Sequence, residues 1–194
     1  WRGRQPMFEP MKKTEIVGLL SILEKSPPRR IIEIGTANGG TLFMLTQLAA
    51  PNATIVSVDL PGGRLGGASS SLRHAYPRWR TSLYRGFARD GQSVHVIRAD
   101  SHQVATVEDV RLRLPEGKVD FLFIDGDHSY EGVSRDFELY SPLVAEAGLV
   151  AFHDILPSRP GGHGDPGGVP AFWSAIKKER RIEAELIEDA DWGS

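Results

Sequence analysis

The sequence predicts an α/β protein: a single doubly wound, mostly parallel sheet with helices on both faces. Three observations lead there. Short apolar runs alternate with stretches of helical spacing along the chain, the βαβα order of a parallel sheet. The first such run, Ile31-Ile32-Glu33-Ile34, leads directly into the glycine-rich turn Gly35-Thr36-Ala37-Asn38-Gly39-Gly40. The run 119–124 is apolar at every position except Val119's neighbour Asp120, as a strand covered on both faces should be.

In chain order, residues 13–25 space Ile16, Leu19, Leu20 and Leu23 as one helical stripe, and Pro27-Pro28 stops it. Residues 30–34 read as the first strand. Residues 39–50 read as a helix ended by Pro51-Asn52, and 53–58 as the second strand. Residues 61–67, Pro-Gly-Gly-Arg-Leu-Gly-Gly, read as a flexible loop. Residues 69–90 are expected to be largely helical, with Pro77 breaking or kinking the helix. Then follow a strand at 94–98, a short helix at 104–112, the buried strand at 119–124, a helix at 130–144 and a second buried strand at 149–152. A helix at 169–178 and a last strand at 182–187 complete the pattern. No repeat or long linker divides the chain, so one domain is expected over 1–194, with a helical lead-in (1–28) and a core (29–188). The chain begins at Trp1 and stops soon after its last strand-like run, so truncation is expected, above all at the C-terminus.

A chain of 194 residues is long enough for one domain with a full core. Its net charge of −2 carries no global basic signature, so nucleic acid is not an expected partner. Arg73, Arg78, Arg80, Arg85 and Arg89 do cluster, either as a solvated helix face or as a surface for an anionic substrate or partner. With no cysteine there is neither a disulfide nor a thiolate site, which is compatible with the expected cytoplasmic location. No apolar run nears the roughly 20 residues that span a bilayer, and no signal-peptide pattern opens the chain, so no membrane partner is expected.

The glycine turn is where chemistry first shows. Glycine lets a ligand approach the backbone closely, and the helix start beyond it offers free N–H groups. Asp59 ends the second strand, where an acid accepts hydrogen bonds from ribose hydroxyls. This is a nucleoside-cofactor pattern. The dinucleotide fingerprint needs close-set glycines, whereas here Ala37 and Asn38 interrupt them in Glu33-x-Gly35-x-Ala37-x-Gly39-Gly40. That spacing resembles motif I of the class I S-adenosylmethionine-dependent methyltransferases. The resemblance implies a Rossmann-like fold with S-adenosylmethionine as cofactor. Glu33 would lie near the amino-acid end of that cofactor, Gly35, Thr36, Ala37 and Gly39 would line it, and Asp59 would hold the ribose. It further implies that Asp100, at the end of the third strand, accepts from the adenine amino group beside Ser101. The other reading of Asp100 is a cap on the turn that follows.

The stretch Ile124-Asp125-Gly126-Asp127-His128-Ser129-Tyr130-Glu131-Gly132-Val133, followed later by Gly148-Leu-Val-Ala-Phe-His153-Asp154, delivers two polar clusters at the ends of neighbouring strands. It is similar to the branch related to cephalosporin-type and macrolide-sugar O-methyltransferases. In that branch a divalent cation sits on one acid after strand four and two ligands after strand five, which implies Asp125, His153 and Asp154 here, with Asp125 also near the cofactor. Mg²⁺ is the usual ion and prefers oxygen donors. The histidine among the ligands suits Mn²⁺, Fe²⁺, Co²⁺ or Zn²⁺ better. The alternative is that both acids bond loop N–H groups while His153 lines the pocket. His128 falls at the position of the general base, the alternative being a histidine that only orients Asp125 or Asp127. Tyr130 and Trp173 either line the acceptor pocket or belong to the core. Residues 156–170 form a long glycine- and proline-rich loop expected to overhang that pocket, with Arg159 and His163 available to a substrate.

The expected function is methyl transfer to a hydroxyl of a small-molecule acceptor, a sugar or natural product, assisted by a divalent metal (Mg or Mn) and a histidine base. Two rivals stand on the same fold: an NAD-type oxidoreductase and a non-catalytic nucleotide-binding module. The family's sheet normally ends in an antiparallel seventh strand, for which little chain remains; an exposed sheet edge would favour a homo-oligomer.

Overall fold

A computed structural model describes residues 13–60, 63–64, 73–74, 78–89, 91–157 and 167–179. Five strands form one sheet: β1 (Arg30–Ile34), β2 (Thr54–Asp59), β5 (Ser93–Arg98), β6 (Val119–Ile124) and β7 (Val144–Phe152), in the order β5-β2-β1-β6-β7. Every pairing among them is parallel. Two short strands, β3 (Gly63–Arg64) and β4 (Arg73–His74), pair antiparallel and apart from it.

Successive strand residues point to opposite faces, and both faces are apolar. On one face Ile32, Ile34, Val56, Val58, Leu122 and Ile124 meet α4 (Val104–Arg113), α5 (Tyr130–Tyr140) and α6 (Val169–Ile176) through Val107, Val110, Val133 and Phe172. On the other, Ile31, Ile55, Phe121 and Phe123 meet α1 (Lys13–Leu23), α2 (Gly40–Leu48) and α3 (Trp79–Arg85) through Leu23, Leu42, Leu45 and Tyr84. Each such buried aliphatic or aromatic side chain contributes roughly 1.5–3 kcal/mol relative to exposure, so the doubly apolar strands specify the three-layer arrangement expected from them.

The strands begin at the centre with β1, run outward through β2 to β5, then return to the other side of β1 with β6 and β7. The order reverses between β1 and β6, and ligands of open α/β sheets bind beyond the carboxyl ends of strands at such a point. Ile34 lies level with both Val58 and Ile124, and Ile124 with Phe152, so the strand ends deliver their loops to one edge.

Three expectations need correction. Among the described residues of 69–90, Arg73–His74 is a strand and Trp79–Arg85 a helix, where one largely continuous helix was expected. The helix expected to reach 144 ends at Tyr140, because Pro142 follows within a short 3₁₀ turn, Ser141–Leu143. The strand expected from 149 starts at Val144, its small and polar opening residues accommodated by an irregularity in the pairing with β6. The strand expected at 182–187, and Arg159 and His163, lie outside the described residues. Among those described, no helix is long and apolar enough to cross a membrane.

Candidate active site

The turn after β1 is built by two glycines. Gly35 has φ 90° and donates its N–H to the Val58 carbonyl at 2.8 Å. A Cβ there would fall 1.9 Å from the carbonyl oxygen of Asp125, so the β1 turn and the β6 loop touch backbone to backbone. Gly39, φ 79°, opens α2 and lies against the Tyr84 ring, where a Cβ would come within 2.5 Å. The Tyr84 hydroxyl in turn donates to the Ala37 carbonyl at 2.9 Å. Ala37 itself takes a left-handed φ of 43° and donates its N–H to Asp59 Oδ2 at 3.0 Å. Asn38 accepts from Arg80 at 3.0 Å. Tyr84 and Arg80 thus shape the turn from α3, a role no motif announced.

Glu33 is fully buried, and neither carboxylate oxygen meets hydrogen-bond geometry among the described residues. Burial raises its pKa to about 8; nearby Ser57 favours the ionised form, Asp59 and Asp125 oppose it, and Thr36 favours it weakly. The Thr36 and Ser57 hydroxyls bond each other, so Thr36 serves the turn from beneath. Asp100 accepts from the His102 N–H at 2.9 Å and from Gln103 Nε2 at 3.0 Å. It therefore caps the turn before α4. Burial works against its charge, but these bonds hold its pKa below the ordinary range. The Ser101 carbonyl accepts from Tyr140 at 2.9 Å.

Beyond β6 the chain caps its own helix. Asp127 Oδ1 accepts from the Ser129 N–H at 2.9 Å, and Ser129 Oγ accepts from Gly132 N–H at 3.0 Å as the N-cap of α5. The His128 carbonyl accepts from Gly168 N–H at 2.6 Å, where the long loop rejoins the core. His128 is held at both sides and projects between two acids. Its Nε2 lies 3.3 Å from Asp125 Oδ1 and its Nδ1 3.3 Å from Asp154 Oδ2. His153 Nδ1 lies 3.4 Å from Asp125 Oδ1 and 3.1 Å from Asp154 Oδ1. Asp154 reaches inward from a backbone φ of 56°, in the left-handed region that aspartate enters more readily than most residues.

Two acids and two histidines therefore alternate around one small space. Burial opposes charge on Asp125, His128 and His153, yet the pairing prevails. His128 and His153 pull the Asp125 pKa down to about 2. Asp125 and Asp154 hold His128 above the usual imidazole range and His153 at about 11. Ligand atoms of Asp125, His128 and Asp154 lie within 4.8 Å of one another, a set able to hold a cation. This set takes His128 where the sequence suggested His153, and all four side chains converge. Glu15 of α1 adds a carboxylate 3.8 Å from His153 Nε2, a contribution from the lead-in helix without a sequence signal.

The expected pocket aromatics divide. Trp173 packs against Phe152 with centroids 5.9 Å apart, whereas Tyr130 is exposed and meets Phe172 edge-on. Of the arginine cluster, Arg80 and Arg89 bond Asn38 and Gln47 within the chain.

A family model described as a methyltransferase domain matches residues 32–155. The uncharacterized protein R132 of Acanthamoeba polyphaga mimivirus is 32% identical over 129 residues, covering 66% of this chain and 52% of that protein. The uncharacterized protein y4gI of Sinorhizobium fredii is 27% identical over 157 residues, 77% of this chain and 15% of its own length. The chain thus spans about half, or far less, of the curated relatives it matches. Among solved structures, the O-methyltransferase from Bacillus cereus in complex with S-adenosylhomocysteine superposes with TM-score 0.58 at 17% identity, over 89% of this chain and 72% of that one. The O-methyltransferase TomG from Streptomyces achromogenes, involved in tomaymycin synthesis and solved with S-adenosylmethionine, gives 0.55 at 18%, over 89% and 71%. With a methyltransferase-domain model matching residues 32–155, and with the fold of these cofactor-bound enzymes, the chain belongs to the methyltransferase-domain family.

Proposed function

We propose that the protein transfers the methyl group of S-adenosylmethionine to a hydroxyl of a small molecule, a sugar or natural product, with His128 as base and a divalent cation on the neighbouring acids. The observation that carries this reading is the convergence of Asp125, His128, His153 and Asp154 directly beside the Gly35 turn. Donor and acceptor chemistry then share one edge of the sheet.

The turn suits a cationic cofactor. Asp59 and Asp125 place negative charge beside Glu33, a buried carboxyl whose oxygens meet no hydrogen-bond geometry among the described residues. A sulfonium and an α-ammonium are stabilised by such a field, and a pyrophosphate is repelled. The Ala37 N–H, which a pyrophosphate would need, is already donated to Asp59. Both facts weigh against the NAD reading.

The donor supplies an electrophilic methyl: its S–C bond breaks as the O–C bond forms, and the hydroxyl proton must leave. His128 takes that proton at an imidazole nitrogen, a role in which a base of suitable pKa supplies about 10²–10⁴-fold. Without a cation the two acids raise the His128 imidazole above its ordinary pKa. Asp125 and Asp154 would hold a divalent ion, whose positive charge would favour the neutral imidazole and would lower the pKa of the acceptor hydroxyl. Aligning oxygen and methyl carbon is the remaining task of the surrounding loops.

Calorimetric titration with S-adenosylhomocysteine, with NAD as control, in Mg²⁺, Mn²⁺ and EDTA, tests the cofactor. Transfer of labelled methyl to a panel of sugar and phenol acceptors tests the reaction. Binding of NAD instead of S-adenosylhomocysteine would sink the proposal.

A further inference from the structure

One buried acid lies outside the chemistry so far. Asp136, on α5, is wholly inaccessible, and neither of its oxygens meets hydrogen-bond geometry with a described residue. A lone carboxylate in that position is costly unless a positive group faces it. The imidazole of His102 does so, with Nε2 at 3.5 Å from Asp136 Oδ1. Its other nitrogen lies 4.0 Å from Asp100 Oδ1. The same Asp100 oxygen accepts the His102 main-chain N–H, so the backbone of His102 holds Asp100 while its ring stands beside it. On the far side, a Cβ on Gly126 would lie 3.1 Å from Asp136 Oδ2, which places this acid directly under the Asp125–His128 loop.

We propose that His102 is a positioning residue for the nucleobase end of the cofactor: held between Asp136 and Asp100, its imidazole locks the turn after β5 against the loop that carries Asp125 and His128. The inference rests on the reading of this edge as an S-adenosylmethionine site. Asp100 has one oxygen given to His102 N–H and the other to Gln103. Each carboxylate oxygen has a second lone pair, so Asp100 still has acceptor capacity, aimed by these bonds. His102 determines that aim. The charged groups facing the ring are Asp136 from α5, Asp100 beyond the end of β5 and Asp127 from the loop after β6. The three acids hold the imidazole above its ordinary range, Asp136 foremost. The Tyr140 hydroxyl closes the arrangement by donating to the Ser101 carbonyl at 2.9 Å.

The test compares wild type, His102→Gln and Asp136→Asn in calorimetric titrations with S-adenosylhomocysteine and with S-inosylhomocysteine, which lacks the amino group. Wild type is expected to prefer the adenine compound. His102→Gln should bind it about tenfold more weakly and lose most of that preference, with helical circular dichroism unchanged. In histidine-ring NMR, the His102 resonances should move on ligand addition, and their titration midpoint should fall in Asp136→Asn. Wild-type affinity and base preference retained in His102→Gln would overturn the proposal and leave the cofactor reading standing. Should Asp136→Asn fail to fold, the partly exposed His102→Gln decides alone. Failure of the wild type to bind either compound would bring down the cofactor reading itself, and this inference with it.

Discussion

Gly35 and Asp125 meet backbone to backbone: the place a Cβ would occupy on Gly35 is 1.9 Å from the Asp125 carbonyl oxygen. The same Gly35 sits at φ 90°, so this contact between the turn after β1 and the loop after β6 exists only because residue 35 has no side chain.

Gly35→Ala should therefore force the two loops apart. A left-handed alanine alone costs of order 1–3 kcal/mol, and the overlap adds to it. Urea denaturation should show a clearly lower midpoint, and calorimetry a loss of S-adenosylhomocysteine affinity. An unchanged midpoint would refute the assigned role of this contact.

Glu33 makes an opposite prediction for stability. Its carboxyl is raised from 4.5 to about 8 by burial, so between those values the unfolded chain is ionised while the folded chain keeps its proton. The folded state binds more protons there, and stability falls as pH rises across the window. Glu33→Gln should equal wild type near pH 4.5 and become progressively more stable than it up to pH 8, while binding S-adenosylhomocysteine more weakly. Urea midpoints at pH 5, 7 and 9 measure the first effect, and parallel slopes for the two proteins would contradict it.

The metal-free cluster has its own pH signature. His153, raised from 6.5 to about 11, contributes stability that is full below 6.5 and is lost as pH rises through the folded value. Asp125, lowered from 3.8 to about 2, contributes above 3.8 and loses its contribution as pH falls through its folded value. His153→Gln should flatten the alkaline decline of thermal stability in EDTA. A decline as steep as in wild type would show that another group causes it.

A cation must compete with the protons on His128. Mn²⁺ affinity should rise with pH and binding should release protons, both read by calorimetry in two buffers of different ionisation enthalpy. Asp154→Asn should weaken Mn²⁺ binding at least tenfold by removing one of the two acids proposed to hold the ion. Equal affinity in that variant would place the ion elsewhere.

His128→Gln should leave S-adenosylhomocysteine affinity near wild type and lower methyl transfer by about 10²–10⁴-fold. Turnover is read by labelled methyl incorporation at saturating donor. Undiminished transfer would remove His128 from the chemistry.

Much of this was legible in the residues because strands write themselves plainly. Residues 30–34 and 119–124 were delimited to the residue, since a strand buried on both faces is apolar at nearly every position. Strand-end acids were equally visible, and Asp125, His128, His153 and Asp154 do converge. What stayed hidden came from distant parts of the chain. Tyr84 reaches Ala37, Glu15 reaches His153 and His102 faces Asp136 only through the packing of helices on the sheet. The 69–90 stretch misled because arginine and serine carry little periodicity, leaving Pro77 as the sole marker between a two-residue strand and a short helix.

The strand order has an evolutionary consequence. In the proposed reading, the acids assigned to the cofactor hang from β1, β2 and β5, and the side chains assigned to proton handling hang from β6 and β7, on the other side of the reversal. Donor recognition and acceptor chemistry are in that reading borne by separate halves, joined by the β1–β6 pairing and by the meeting of Gly35 with Asp125. Loops beyond β6 and β7 can drift toward new acceptors while the donor half stays fixed, a division of labour that lets one scaffold diversify its products without relearning its reagent.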